Sequence, residues 1–334
     1  MVLNCVIKCS GMESRENSIF GRKTFFLNPT LNIEHKLIPH LRNMEYEVYQ
    51  VRSHQDIKSV LRENPGSLCF INIDDQLSFS EWFNFIKSFE IDETLSSIFL
   101  GIISAKAKNA VKEQFILKTK LPGGFIDSSD HPELVLSNFT KILDINGAKG
   151  RRQYVRIDQK ILGKELTTCF VDQKLINFTL MDLSATGFAA YTDPNKINLF
   201  PKGKIIENIG LKLGIKPIYV DAEIFLSQIR GEHCVVVFMF LKTTPEKIIK
   251  DIKSYIHGSL QKAVDDFINS SIKDLTDYSE EIIVPESDKK ADINDLKFED
   301  LGDLEELDVP EINSPAPKAS TTPKKDDFDP SIDI

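Results

Sequence analysis

The hydrophobic texture of this chain changes once, near residue 147, and the change sets a different fold class on each side of it. From residue 24 to residue 143, runs that are apolar throughout alternate with segments of helical spacing. The strand-like runs are KTFFLNP, YEVYQV, LCFINID, SIFLGIIS and GGFID. Interleaved with them are IEHKLIPHLRNM (a kink is expected at Pro39), HQDIKSVLREN (ended by Pro65-Gly66), SEWFNFIKSFE, AKNAVKEQFILKT and HPELVLSNFTKIL. A strand that is apolar on both faces has to be covered on both faces. Helices that alternate with such strands do this when the strands run parallel, so this part is expected to be a doubly wound α/β sheet. Ser80 is the expected N-cap of the third helix, and Pro132 falls in the first turn of the last. DINGAKG then reads as a linker.

Beyond it, β-rich runs follow one another with turn residues but no helices between them: QYVRI, TTCFVDQKLINFTLMDLS, GFAAYT, GKIIENIGLKL, IKPIYVDAEIFLSQIR and HCVVVFMFLK. This is the pattern of an all-β domain, and closure into a barrel would remove its edges. A long amphipathic helix follows. Thr244 is its expected N-cap and Pro245 its first residue, with Ile248, Ile252, Tyr255, Ile256, Leu260, Val264, Phe267 and Ile268 along one side. It is longer than one end of a small barrel needs, so its spare apolar face is expected to dock on the first domain or on a second subunit, as a homodimer. From Asp274 the chain is acidic and poor in aromatics, which reads as a disordered tail. Within it Leu296, Phe298, Leu301, Leu304 and Leu307 are scattered among acids. The expected division is an N-terminal extension (1–21), the α/β domain (22–145), the barrel with its helix (146–273) and the tail (274–334).

The formal net charge of −9 is misleading. From Asp274 to Ile334 there are 19 Asp and Glu against 6 Lys, which leaves 35 Lys and Arg against 31 Asp and Glu in residues 1–273. The body is mildly basic, and an anionic ligand suits it. No run approaches the ~20 apolar residues of a membrane span, and the N-terminus lacks a secretion-signal pattern. A cytoplasmic protein is expected. The five cysteines (Cys5, Cys9, Cys69, Cys169 and Cys234) are too scattered for a disulfide framework and lack the companions of a zinc site. The six histidines, His35, His40, His54, His131, His233 and His257, form no metalloprotease or triad signature, and LPGGFID lacks the Gly-Lys-Ser/Thr ending of a phosphate loop. Neither an enzyme, a metal site nor a nucleic-acid partner is expected.

The positive charge of the body concentrates at RRQYVRID. Between Gly147 and Lys164, six cations (Lys149, Arg151, Arg152, Arg156, Lys160 and Lys164) face one anion, Asp158. Downstream stands DLSATG, with Asp182, Ser184 and Gly187. Guanidinium forks bind phosphate oxygens and the O6/N7 edge of guanine bidentately, and they stack on flat bases. In an extended segment Arg152 and Arg156 would point to one face. A carboxylate at Asp182 accepts hydrogen bonds, Ser184 adds a donor or acceptor, and Gly187 permits a tight or positive-φ turn. Each piece alone is weak; the pair in this order is much more specific.

Arg152-x-x-x-Arg156 followed by Asp182-x-Ser184-x-x-Gly187 resembles the PilZ family, receptors for the bacterial second messenger cyclic di-GMP. The resemblance covers roughly Lys149–Ser271 and takes in NLFPKGKIIENIGLKL, the last two strands and the long helix. It implies a six-stranded antiparallel β-barrel with a C-terminal helix, and cyclic di-GMP as ligand. Arg152 and Arg156 would hold phosphates and guanine, and Asp182 and Ser184 a base. By the same resemblance, Arg151, the long cation just before the motif, implies two intercalated ligands per site. CVVVFMF departs from the family in lacking a glycine often found there, which bears on barrel packing.

Residues 22–145 resemble a two-component receiver that has lost its chemistry. Asp74 stands at the phosphoacceptor position and Ser104 at the switch hydroxyl. The acidic pair that holds Mg²⁺ is replaced by Asn28 and Pro29, and the lysine expected after the fifth strand is missing from GGFIDSSD. A phosphorylation-incompetent scaffold is expected. Two functions of different class remain. One is a cyclic di-GMP effector whose ligand orders Lys149–Ile157, reorients the domains and alters contacts with protein partners. The other is an interaction protein with a vestigial site. Motility, surface polysaccharide and transcription are all outputs known for the family.

Overall fold

The computed structural model describes residues 21–275, apart from Lys164 and Ile215. The N-terminal extension with Cys5 and Cys9, and the acidic tail with its leucines, lie outside the described residues.

Five strands form one parallel sheet: β1 (Thr24–Leu27), β2 (Val48–Val51), β3 (Leu68–Asn72), β4 (Phe99–Ser104) and β5 (Phe125–Asp127). Their order is β2-β1-β3-β4-β5, a doubly wound topology shared with receivers. Period-two alternation splits each strand between two layers. Phe26 and Phe70 face one layer with Leu41 and Phe139. Phe25, Leu27, Cys69 and Ile71 face the other with Ile57, Trp82 and Phe115. The layers are built by α1 (Ile38–Asn43), α2 (His54–Arg62), α3 (Phe79–Ile91), α4 (Asn109–Lys118) and α5 (Pro132–Ile145).

Three local expectations need correction. The N-cap of α3 is Ser78, not Ser80: Ser78 and Glu81 form a reciprocal capping box, which places Ser80 inside the first turn. The irregularity at Pro39 is a π-turn over Ile33–Leu37, in which the Ile38 N–H reaches back five residues to Ile33. DINGAKG is packed rather than free. Gly147, at φ 68°, closes α5 through bonds from the Gly147 N–H to Asp144 and the Ala148 N–H to Leu143. Ala148 is buried, and the Arg22 N–H donates to Gly147.

Residues 156–240 form the barrel. Its strands are β7 (Leu166–Val171), β8 (Lys174–Ser184), β9 (Gly187–Thr192), β10 (Ile205–Leu213), β11 (Lys216–Arg230) and β12 (His233–Phe240). The antiparallel pairings run β8-β7-β10-β11-β12-β9 and return to β8. Closure is possible because β8 is long: Lys174–Thr179 pair with β7 and Thr179–Ser184 with β9. A short β6 (Arg156–Asp158) adds to β8 at Asp182–Ser184, and α6 (Gln159–Leu162) follows it. Inside, Phe178 packs edge-on against Phe200 and Phe238, and Phe238 stacks on Phe188. Cys69, Cys169 and Cys234 are free and buried.

The long helix α7 spans Glu246–Leu275. Thr244 does not cap it, because its buried hydroxyl has no hydrogen-bond partner, and the first helical residue is Glu246. Ile252, Ile256 and Leu260 are buried in the core shared with the barrel. A polar stripe of α7 at i, i+4 and i+8 meets the first domain. Lys253 pairs with Glu45 at 2.6 Å. His257 is buried and bonded to the Arg42 backbone. Gln261 donates to Gln50 O at 2.8 Å and accepts from Gln50 N at 3.0 Å. Its amide thus completes the edge of β2 as a neighbouring strand would. Among the described residues no helix is long and apolar enough to cross a membrane.

Candidate ligand-binding site

Arg152, Arg156 and Asp182 converge where β6 meets β8. The register places Arg156 opposite Ser184 and Asp158 opposite Asp182. Arg156 Nη1 lies 3.8 Å from Asp182 Oδ2, with both side chains more than a third exposed. Burial, and then the neighbouring Arg156 charge, lower the Arg152 pKa, while Asp182 opposes the shift. Two guanidiniums are therefore held near one carboxylate and partly withdrawn from water. Bidentate donors and an acceptor then face the same space.

A β-bulge explains why Asp182 is available. Along β8, Ile176, Phe178 and Leu180 point into the barrel. Continued alternation would bury Asp182 and expose Leu183. The pairing with β9 slips between Leu180 and Asp182 instead. The extra residue, Met181, reverses the phase, so Leu183 is buried and Asp182 is turned outward.

The remaining predicted residues are placed differently from one another. The segment 151–155 is bent, and extended pairing begins only at Arg156. The convergence of Arg152 and Arg156 on Asp182 therefore does not come from strand periodicity. Arg151 is exposed beside them. Ser184 is buried, and its Oγ donates to the Gly187 carbonyl at 3.0 Å, closing the turn between β8 and β9. Gly187 is not at positive φ. It is required by space, since a Cβ there would fall 2.1 Å from the carbonyl oxygen of Phe238.

In the first domain the structure brings Asp74 and Ser104 together as the sequence implied. The Ser104 hydroxyl and the Ala105 N–H donate to the Asp74 carboxylate. Lys106 Nζ donates to the Asp74 carbonyl at 3.0 Å and pairs with Asp75 at 3.1 Å. Lys106 follows the fourth strand rather than the fifth, so its presence here was not legible from GGFIDSSD. Asn28, at φ 52°, sits beside them and donates to Asn72 O and Asp75 O at 3.4 Å each. Among the described residues no group of three or more His, Cys, Asp or Glu is arranged to hold a metal ion.

Sequence reasoning missed Glu45. Its carboxylate accepts from the Val155 N–H, inside the arginine segment, at 3.0 Å. It also pairs with Lys253 of α7. No motif marks it, and its only signal is conformational.

No protein-family model matches the sequence, and no curated protein matches it. Solved structures do show likeness to parts of the chain. The PilZ domain of YcgR from Escherichia coli with c-di-GMP is 22% identical, covering 36% of this chain and 98% of that one, with a TM-score of 0.30. A response regulator from Desulfuromonas acetoxidans is 15% identical, covering 37% of this chain and 98% of that one, with a TM-score of 0.31. PlzA from Borreliella burgdorferi in complex with c-di-GMP is 15% identical over 39% of this chain, with a TM-score of 0.24. The match spans 50% of PlzA's length.

Proposed function

We propose that the chain is a cyclic di-GMP effector of the PilZ type, a receptor rather than an enzyme, working in the cytoplasm through a protein partner. The observation that carries this reading is the convergence of Arg152, Arg156 and Asp182 at the β6–β8 pairing. It offers two guanidinium forks and one carboxylate to a ligand that presents two phosphates and two guanines. In this reading the arginines take phosphate oxygens and a guanine edge, and Asp182 accepts from a guanine's N–H groups. Arg151 supports a second, stacked ligand. Ser184 and Gly187 hold the turn that presents Asp182. Residues 22–145 act as a receiver-derived scaffold, and residues 146–273 carry the ligand. Binding engages the arginines of Lys149–Ile157, a segment already tied to the first domain, and changes how the two parts are held.

Isothermal titration tests this directly. The intact chain should bind cyclic di-GMP with micromolar or tighter affinity and two ligands per chain. Arg152→Ala and Arg156→Ala should each lose binding by at least about a hundredfold, the scale of a lost charge-assisted bidentate contact. Absence of heat with the intact chain would leave a ligand-independent interaction protein.

A further inference from the structure

Glu45 stands at a junction of three elements. It lies between α1 and β2, at φ 66°, a left-handed conformation that costs a residue with a Cβ about 1 kcal/mol. The backbone accounts for it: the Glu45 N–H donates to Arg42 O and the Tyr46 N–H to Leu41 O, the Schellman turn that closes α1. The carboxylate makes further contacts. Oε2 accepts the Val155 N–H at 3.0 Å. Oε1 lies 2.6 Å from Lys253 Nζ, and the Glu45 side chain is only 10% exposed. Lys253 also donates to Asn43 O at 3.3 Å, tying α7 to the same corner. The next residue continues the junction: the Tyr46 hydroxyl donates to Asp144 at 2.5 Å, and Lys149 Nζ lies 4.3 Å from the Tyr46 ring centre. The stretch from Asp144 to Val155 is therefore fastened to the first domain at four points: Asp144 by Tyr46, Gly147 by Arg22, Lys149 by the Tyr46 ring and Val155 by Glu45. The last of these sits between Arg152 and Arg156.

The geometry points to Glu45 as a positioning residue for the ligand site. Supplied by the first domain, it pins the Val155 amide so that Arg152 and Arg156 fall on either side of a fixed point and face Asp182. Through Lys253, the same carboxylate links that segment to α7. The inference rests on the cyclic di-GMP reading of the arginine site.

Its test turns on a sign. Removing a carboxylate near a cationic site should, by Coulomb's law alone, tighten an anionic ligand. Loss of positioning should weaken it, because the segment must then be ordered on binding. Glu45→Asn is the informative variant: asparagine tolerates the left-handed conformation, so the fold is kept, but its side chain is one methylene too short. Glu45→Gln keeps the reach and an acceptor oxygen while losing the charge. In the full-length chain without ligand, amide exchange at residues 151–157 should speed up roughly tenfold in Glu45→Asn and stay near wild type in Glu45→Gln. Cyclic di-GMP affinity should fall about fivefold in Glu45→Asn and recover in Glu45→Gln. Unchanged exchange in Glu45→Asn, or equal or tighter ligand binding by it, overturns the assignment. A wild-type chain that binds no cyclic di-GMP refutes the ligand reading instead, and the exchange comparison still decides whether Glu45 pins the segment.

Discussion

Gly187 shows how a motif residue can be legible while its reason is not. Its position in DLSATG suggests a tight or positive-φ turn; the backbone there is ordinary, and the constraint is close approach of the Phe238 carbonyl. That carbonyl belongs to β12, which a reader of the sequence has no means of placing next to the turn. Gly187→Ala should therefore destabilise the barrel by about 3 kcal/mol, the upper end of overpacking costs, because the obstacle is backbone inside a closed sheet. Urea unfolding measures it, and a loss below about 0.5 kcal/mol would show that β9 can shift. Asp182 was more readable: Ile176, Phe178, Leu180 and Leu183 break their own alternation by one residue, which is a bulge written in sequence. His257 carried no signal at all. Burial, with the Arg42 and Lys253 charges, lowers its pKa to about 4. A base whose folded pKa lies below its unfolded value of about 6.5 binds fewer protons when folded. Its contribution is therefore intact above pH 6.5 and lost as pH falls toward 4. Stability should drop by about 2 kcal/mol between pH 7 and 4.5 on this account. His257→Gln, which keeps a donor for the Arg42 carbonyl, should flatten that part of the profile; an unchanged acid slope would locate the titration elsewhere.

At the scale of elements, the strands were read with little loss because burial on both faces leaves a continuous apolar run that nothing else in the chain imitates. Helix ends were less secure. Ser78 and Ser80 both precede the periodic stretch of α3, and only the reciprocal bond with Glu81 separates them. Ser78→Ala should cost about 1 kcal/mol in thermal or denaturant unfolding, and Ser80→Ala should cost much less. The docking of α7 was open between the first domain and a second subunit because an amphipathic pattern specifies a face, not its partner. Within one chain the contact with the first domain runs through Gln261, whose amide satisfies both the N–H and the C=O of Gln50 on the edge strand β2. Gln261→Ala should free that edge at a cost of about 1–2 kcal/mol, the penalty of unpaired backbone groups that water reaches only in part. Hydrogen exchange at the Gln50 amide reads this out, and protection equal to wild type would mean that another group takes over.

The two halves of the molecule were legible separately, while their union was not. Apolar periodicity reports each core, but the junction is polar and discontinuous: Glu45 with Lys253, Arg42 with His257, Gln50 with Gln261. Beneath that polar layer the buried side chains are continuous. One core cluster runs from Ile57 and Trp82 in the first domain to Ile252, Ile256 and Leu260 of α7 and on to Phe178 and Phe238 in the barrel. A continuous core predicts that the parts unfold together, and the chain has its own reporter for this. Trp82, the single tryptophan, lies fully buried in the first domain, its indole N–H donating to Asp75 O at 3.0 Å. The proposed ligand, by contrast, binds at the barrel. A ligand at a hundred times its Kd stabilises the folded state by about 2.7 kcal/mol. In a cooperative unit of this size that corresponds to a rise in midpoint of about 5–10 °C. If the junction couples the halves, Trp82 fluorescence should show that rise on addition of cyclic di-GMP. Independent halves would leave the Trp82 transition in place while far-ultraviolet circular dichroism reported a second, ligand-shifted step. The same measurement on Gln261→Ala identifies the route: a smaller shift at Trp82 with unchanged ligand affinity places the coupling in α7, and a full shift places it in the Asp144–Val155 stretch.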